Sequence, residues 1–323
     1  MSATGNQYLW MDGAIRPWAE GQIHVMSHVL HYGSGVFEGI KCYTTADGPA
    51  IFRLDDHIRR LERSAALYQM ELPYTVDEII QGCLDMVTAS GLESCYIRPI
   101  AFYGYDTLGV HPRDCPVHVA IACFDWGAYL GDDGITKGVR VTVSPWRKFH
   151  YSTFPTTAKA SGQYLNSLLA IRDAKGKGFD EALLLNMEGD IAEGSGQNLF
   201  LVRDGALYTN DEKSSILLGI TRETIMQLAQ DLDIPVNITT LTLEQLGAAD
   251  EAFFTGTASE VTPIRELDGQ PIGAGKPGPI TIRLSELYFD LIKGKRPEYR
   301  HWLTYLEKAG KERSAAGKVP ISG

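Results

Sequence analysis

Short apolar runs rich in β-branched and aromatic residues alternate along the chain with stretches of helical period, and there is no internal repeat or low-complexity tract. Such alternation predicts a mixed α/β architecture. In the first third, Val36 to Tyr43, Tyr96 to Tyr103 and Val117 to Cys123 read as strands ended by turn residues. Two helices separate them. One begins near Asp55 and Asp56 and places Ile58, Leu61, Ala65 and Tyr68 on one face; the other opens with the capping box Thr75-x-x-Glu78 and stops at Gly91.

Residues 126–137, WGAYLGDDGITK, hold no sustained period and read as an interdomain loop between a small N-terminal α/β domain (1–125) and a larger domain (138–306). The second unit carries expected strands at Val139 to Ser144, Glu181 to Leu185 and Glu251 to Thr255. It also carries a hairpin turning at Asp204-Gly205 between LFLVR and ALYT. Helical patterns follow Lys159, with Leu165, Leu168 and Leu169 expected inward, follow Thr221, and run from Ile280 to Ile292 with Leu284, Leu287 and Leu291 on the apolar face. The tail 307–323 is polar and reads as mobile.

A length of 323 residues allows about two domains at ~150 residues each. No apolar run reaches the roughly 18 residues a membrane span needs, and the N-terminus lacks the features of a signal peptide, so a cytoplasmic protein with no membrane partner is expected. The net charge of -10 disfavours nucleic acid as a partner. Five cysteines without a C-x-x-C pair suggest neither a disulfide framework nor a zinc site, and His24, His28 and His31 lack neighbouring carboxylates, so no metal is expected. Gly273-x-Gly275-x-x-Gly278 matches a dinucleotide fingerprint but follows no buried strand, and Ser195 is not in a G-x-S-x-G elbow.

Candidate chemistry concentrates in four segments. Lys159 stands among small residues (TTAKASGQY), leaving room for a bulky aldehyde, and partial burial would lower its pKa toward the neutral amine that forms a Schiff base. That chemistry suggests pyridoxal 5'-phosphate, although a lysine before a helix is also an ordinary surface feature. Glu193, in a glycine-rich turn, is placed to hold a proton on a ring nitrogen, or is an exposed hairpin acid. LGITR (218–222) and TGTASEVTP (255–263) can cup a phosphate, with Arg59 adding a fixed charge, or are plain caps and surface positions.

The segments HYGSGVFEGIKCY (31–43), YIRP (96–99), AKASGQYLNSLL (158–169), EGSGQNLF (193–200), LLGITRET (217–224) and GTASEVTPI (256–264) together resemble the branched-chain amino acid aminotransferases, fold-type IV enzymes that use pyridoxal 5'-phosphate. The resemblance runs from about Trp10 to Leu306. It implies a two-domain fold like that of D-amino acid aminotransferase, with the cofactor at the domain interface. It also implies Lys159 as the Schiff-base lysine and catalytic base, Glu193 on the pyridine nitrogen and Tyr164 on the ring oxygen. Arg59, the backbone of Ile220 and Thr221, and Thr257 would hold the phosphate. Tyr32, Phe37, Val110, Tyr129 and Ala258 would wall the substrate pocket. Tyr96 and the Thr257 and Ala258 amides would take the α-carboxylate, and Arg98 the second carboxylate of glutamate. The implied reaction moves an amino group from L-leucine, L-isoleucine or L-valine to 2-oxoglutarate in a homodimer or higher homo-oligomer whose Gly104 to Cys115 loop covers a neighbour's site. Relatives on the same fold act on D-amino acids or R-amines, or are lyases, and the Tyr96-x-Arg98 pattern favours the branched-chain enzymes over them.

Overall fold

In a computed structural model, the structure describes residues 7–126 and 131–306. The first sheet takes β1 (Tyr8–Met11), β2 (Ala14–Pro17), β3 (Gly35–Phe37), β4 (Ile40–Thr45), β5 (Gly48–Phe52), β6 (Cys95–Tyr103) and β7 (Val117–Phe124). Helices α1 (His28–Tyr32), α2 (Leu54–Leu67) and α3 (Val76–Ser90) belong to this part of the chain. The capping box of α3 forms as the sequence predicts, with the Thr75 hydroxyl accepting from the Glu78 N–H and Glu78 accepting from the Thr75 N–H, and Gly91 ends the helix at φ +66°. Ile58, Leu61 and Ala65 of α2 pack with Ile79, Cys83 and Met86 of α3 onto Ile97, Val119 and Ile121 of the sheet.

A helix α4 (Gly131–Lys137) leads into the second sheet, so the interval read as a loop is helical over its second half; residues 127–130 of it lie outside the described residues. There follow β8 (Val139–Val143), α5 (Tyr164–Gly176), β9 (Glu181–Leu185), β10 (Ile191–Gly194), β11 (Asn198–Arg203) and β12 (Ala206–Thr209). Then come α6 (Ile220–Asp231), β13 (Val236–Ile238), α7 (Leu243–Gly247), β14 (Glu251–Gly256), β15 (Glu260–Leu267), β16 (Gln270–Pro271) and α8 (Pro279–Ile292). This sheet has the order β10-β9-β8-β15-β14-β11-β12-β13, with β16 beside β15, and is mixed, since β8 runs parallel to both β9 and β15. The chain then closes on β17 (Leu303–Tyr305), which pairs antiparallel with β5, giving the first sheet the order β17-β5-β4-β6-β7-β1-β2 with β3 on β6.

Three further expectations change. The strand read as continuous from Val36 to Tyr43 breaks at Glu38-Gly39, because Glu38 buries its carboxylate and Gly39 lies so close under Tyr96 that a Cβ would fall 1.8 Å from the phenol oxygen. Leu303–Tyr305, grouped by sequence with the second unit, returns to the first, and Phe52 and Leu303 share one apolar cluster with Phe200, Phe253 and Tyr288. Leu165, Leu168 and Leu169 point outward at 67%, 46% and 40% exposure, while Asn166, Ser167, Ala170 and Ala174 face in. Small residues let α5 approach closely, Ala170 and Ala174 packing on Ala182 and Leu184 of β9, and the leucines are left on the far face. No helix among the described residues is long and apolar enough to cross a membrane.

Candidate active site

Lys159 belongs by sequence to the second unit but is held by the first. Its carbonyl accepts from the Phe37 N–H at 3.0 Å, its own N–H donates to Ser64 Oγ at 3.0 Å, and Ala160 bridges to Val36. The side chain opens on a cavity of about 290 Å³ lined from both sheets, near the lower end of the volumes that take small ligands. Its Nζ donates to Tyr164 Oη at 2.7 Å and stands over the Phe37 ring, 5.0 Å from the centroid. Desolvation, reinforced by the Arg60 guanidinium, pushes the Lys159 pKa down to about 8, so a sizeable share of the amine is neutral near pH 7 to 8. Burial pushes the Tyr164 phenol up to about 12, keeping it protonated as a donor.

At one end of the cavity Glu193 is buried and engaged on both oxygens. Lys148 Nζ donates to Oε1 at 2.5 Å; Asn198 Nδ2 and the Leu217 N–H donate to Oε2 at 3.3 and 3.0 Å. Three donors engage both oxygens and hold the carboxylate in one orientation. The N-terminus of α6 also opens on this cavity. Gly219 is its N-cap and carries no side chain; a Cβ there would fall 2.1 Å from Asn198 Oδ1. Ile220 and Thr221, the first residues of the helix, line the cavity, and no side chain caps the helix end.

Arg60 supplies the fixed cation beside that helix end. Its Nη1 donates to Leu218 O at 3.0 Å, and Nε and Nη2 form a fork on Glu38 at 2.7 and 2.9 Å. Burial alone would raise the pKa of Glu38, but Arg60 and His57 outweigh it and hold the carboxyl well below the usual range. His57, whose own pKa burial lowers, donates Nδ1–H to Glu38 at 2.7 Å. Opposite, Tyr96 and Arg98 lie on one face of β6 as their spacing predicts, with the guanidinium 5.1 Å from the Tyr96 ring centroid and 4.9 Å from that of Phe37. Four buried polar atoms of the lining have no protein partner: Arg98 Nε, Thr156 Oγ1, Thr255 Oγ1 and Ser259 Oγ. Buried polar groups are otherwise nearly always satisfied, so these atoms point to a polar ligand.

The class IV aminotransferase pattern ("Amino-transferase class IV") matches residues 35–267. The chain belongs to that family. It is 45% identical to the branched-chain-amino-acid aminotransferase of Pseudomonas aeruginosa over 93% of this chain and 97% of that one. The crystal structure of the Escherichia coli branched-chain amino acid aminotransferase superposes with a TM-score of 0.91 at 42% identity, covering 93% of this chain and 99% of that one. That of the T.th. branched-chain amino acid aminotransferase, complexed with N-(5'-phosphopyridoxyl)-L-glutamate, superposes at 0.90 with 46% identity, covering 94% and 99%.

Within this aminotransferase, Phe37, Tyr96, Arg98, Lys159, Tyr164, Glu193, Ile220, Thr221, Thr257 and Ala258 all line the one cavity. Arg59 does not. Its side chain is about half exposed and pairs with Asp55 at 2.7 Å, so the arginine expected at 59 lies away from the cavity and its neighbour Arg60 lines it instead. Helical period carries the signal: His57, Arg60 and Ser64 form one i, i+3, i+7 stripe, and position 59 falls outside it. Tyr32 and Val110 are also away from their own chain's cavity; Tyr32 Oη donates to Leu108 O and Val110 is 79% exposed. Tyr129 lies outside the described residues. Lys148, Trp126 and Asn198 also line the cavity and lie outside the sequence expectation. Gly273 and Gly275 adopt positive φ in a turn, and the helix end beyond them is already capped by the Glu251 carboxylate, which accepts from Ile280 and Thr281 at 3.0 and 2.7 Å.

Because a lysine cannot reproduce the guanidinium fork, Arg60→Lys is expected to weaken binding of pyridoxal 5'-phosphate to the cofactor-free protein by about tenfold, and Arg59→Ala to leave it within about twofold. Equilibrium titration checks this, and equal effects at the two positions would contradict the assignment.

Proposed function

We infer that the protein uses pyridoxal 5'-phosphate to transfer the amino group of L-leucine, L-isoleucine or L-valine to 2-oxoglutarate, giving the branched-chain 2-oxo acid and L-glutamate. The observation that carries this reading is the convergence on one cavity of a lysine of lowered pKa, a triply bonded carboxylate, and a helix N-terminus beside a buried arginine. The residues fit the cofactor at each end: Lys159 at its aldehyde, Glu193 at its ring nitrogen, Tyr164 at its ring oxygen, and Arg60, the Ile220 and Thr221 amides and Thr257 at its phosphate. When bound, the cofactor supplies an electron sink for the pair of electrons left when the substrate α-carbon loses its proton.

The chain's own groups do the rest. The Lys159 amine, freed once substrate is loaded, takes the α-proton and returns it on the cofactor side, and a pKa near 8 matches that exchange to neutral pH. Lys148 holds the Glu193 carboxylate in place. The aromatic walls Phe37, Tyr96 and Trp126 accept an apolar side chain and exclude water, while Arg98, stacked among all three, offers its unpartnered Nε to a second carboxylate. The backbone turn at Thr257 and Ala258 takes the α-carboxylate.

A homodimer completes the site in this reading. Supporting it are the outward leucines of α5 and the exposed Val110 and Tyr32, both remote from their own chain's cavity. A size measurement on the loaded enzyme is expected to give a dimer or a larger even assembly, and a fully active monomer would contradict it. A cytoplasmic location accords with cysteines that are buried and not joined in disulfides.

The test of the reaction is a panel of donors and acceptors in steady state. L-leucine with 2-oxoglutarate is expected to turn over at least ~100-fold faster than D-alanine or an R-amine as donor. Arg98→Ala is expected to lose most activity with 2-oxoglutarate and keep it with branched-chain 2-oxo acids as acceptors. Preference for a D-amino acid or R-amine would reject the substrate reading.

A further inference from the structure

One buried ion pair stands outside the cavity and takes no part in the chemistry above. Strands β14 and β15 are joined by the three-residue connection Thr257-Ala258-Ser259, with Gly256 and Glu260 as the closing partners. Glu260 has φ +54°, the left-handed conformation that such a connection demands at its end and that glycine adopts at least cost. A long acidic side chain there needs a compensating interaction. The compensation comes from the other sheet: Lys41 Nζ and Tyr43 Oη of β4 both donate to Glu260 Oε1 at 2.9 Å. Lys41 and Glu260 are 8% and 6% exposed, so neither charge can turn to water instead. The contact reaches both sides of the site. Lys41 is the register partner of Tyr96, and Tyr43 is hydrogen-bonded to Tyr288, which is bonded to Thr221 at the start of α6.

We propose that the Lys41–Glu260 pair is a clamp across the two sheets that sets where the Thr257-Ala258 turn stands over the cavity, making both residues positioning residues for the substrate α-carboxylate. The proposal rests on the reading of that turn as the carboxylate seat. Neither side chain lines the cavity, so the action passes through the turn, two residues from Ala258 on one side and anchored to Tyr96's neighbour strand on the other. A displaced seat binds ground state and transition state less well by the same amount, which raises KM and leaves kcat in place.

The experiment is steady-state kinetics of the cofactor-loaded enzyme with L-leucine, with thermal unfolding alongside, in Lys41→Met, Glu260→Gln, Lys41→Arg and the Lys41→Met/Glu260→Gln double variant. Each of the two charge-removing single variants is expected to raise KM about tenfold with kcat within about twofold, and Lys41→Arg to stay near the parent enzyme. The double variant removes the lone buried charge and so regains Tm, but keeps the raised KM. If the single variants do not fold, the double variant carries the test. Folded variants with unchanged KM, or a double variant in which KM recovers along with Tm, would overturn the clamp. Gly256→Ala separates the seat from the clamp, since its Cβ would stand 2.8 Å from Ser259 Oγ and shift the turn directly. A raised KM in Gly256→Ala alone leaves the seat and removes the clamp; an unchanged KM in every variant removes both.

Discussion

The rest of the structure depends on how Lys159 is tied across the boundary between the two sheets. Its peptide is bonded to Phe37 on one side and Ser64 on the other, and the next residue bridges to Val36, so the reactive amine cannot drift with the second unit alone. That attachment forces the amine into the seam, where desolvation and the Arg60 guanidinium lower its pKa to about 8. The same seam brings together Tyr164, Glu193 and the open end of α6, all from the second unit, with Phe37, Tyr96 and Arg98 from the first. Had the two sheets separate cores, this register would be loose. Instead, β17 returns to β5 and the cluster around Phe52, Tyr288 and Leu303 is common to both.

Charge arrangement follows from that burial. Glu38, Glu193 and Glu260 are all nearly inaccessible, and an unpaired carboxylate in such a place costs several kcal/mol. Each is met by a buried base: Arg60, Lys148 and Lys41. Pairing makes burial tolerable and leaves each partner fixed in direction, which is what positioning a small anion requires. Arg60 is the instance with the most consequence, because Glu38 and Leu218 O together fix its plane beside the α6 N-terminus. Arg98 differs; it is cradled by rings and leaves Nε without a protein partner, a cation held ready for a ligand.

What the sequence made legible was local. The capping box of Thr75 and Glu78, the Asp204-Gly205 hairpin and the β6 alternation of Tyr96 and Arg98 each depend on residues a few positions apart, and each stands in the structure. The family motifs likewise brought ten site residues to one cavity. Errors came where two faces of a helix competed. On α2 the polar stripe of His57, Arg60 and Ser64 runs beside the apolar stripe through Ile58 and Leu61, and Arg59 falls outside both, paired with Asp55. On α5 hydrophobicity alone puts the leucines inward, whereas alanines set the close approach to β9. Lys148, Glu38 and the strand Leu303–Tyr305 gave no local sign, since their partners lie 45, 22 and about 250 residues away in sequence.

The central claim is that the Lys159 amine at this seam runs the first half of an L-branched-chain transamination. The absorption spectrum of the purified, cofactor-loaded protein, taken before and after adding L-leucine with no 2-oxo acid present, tests it most directly. The visible band of the cofactor joined to Lys159 is expected to disappear and the spectrum of its pyridoxamine form to take its place. A visible band that L-leucine leaves untouched would contradict the claim.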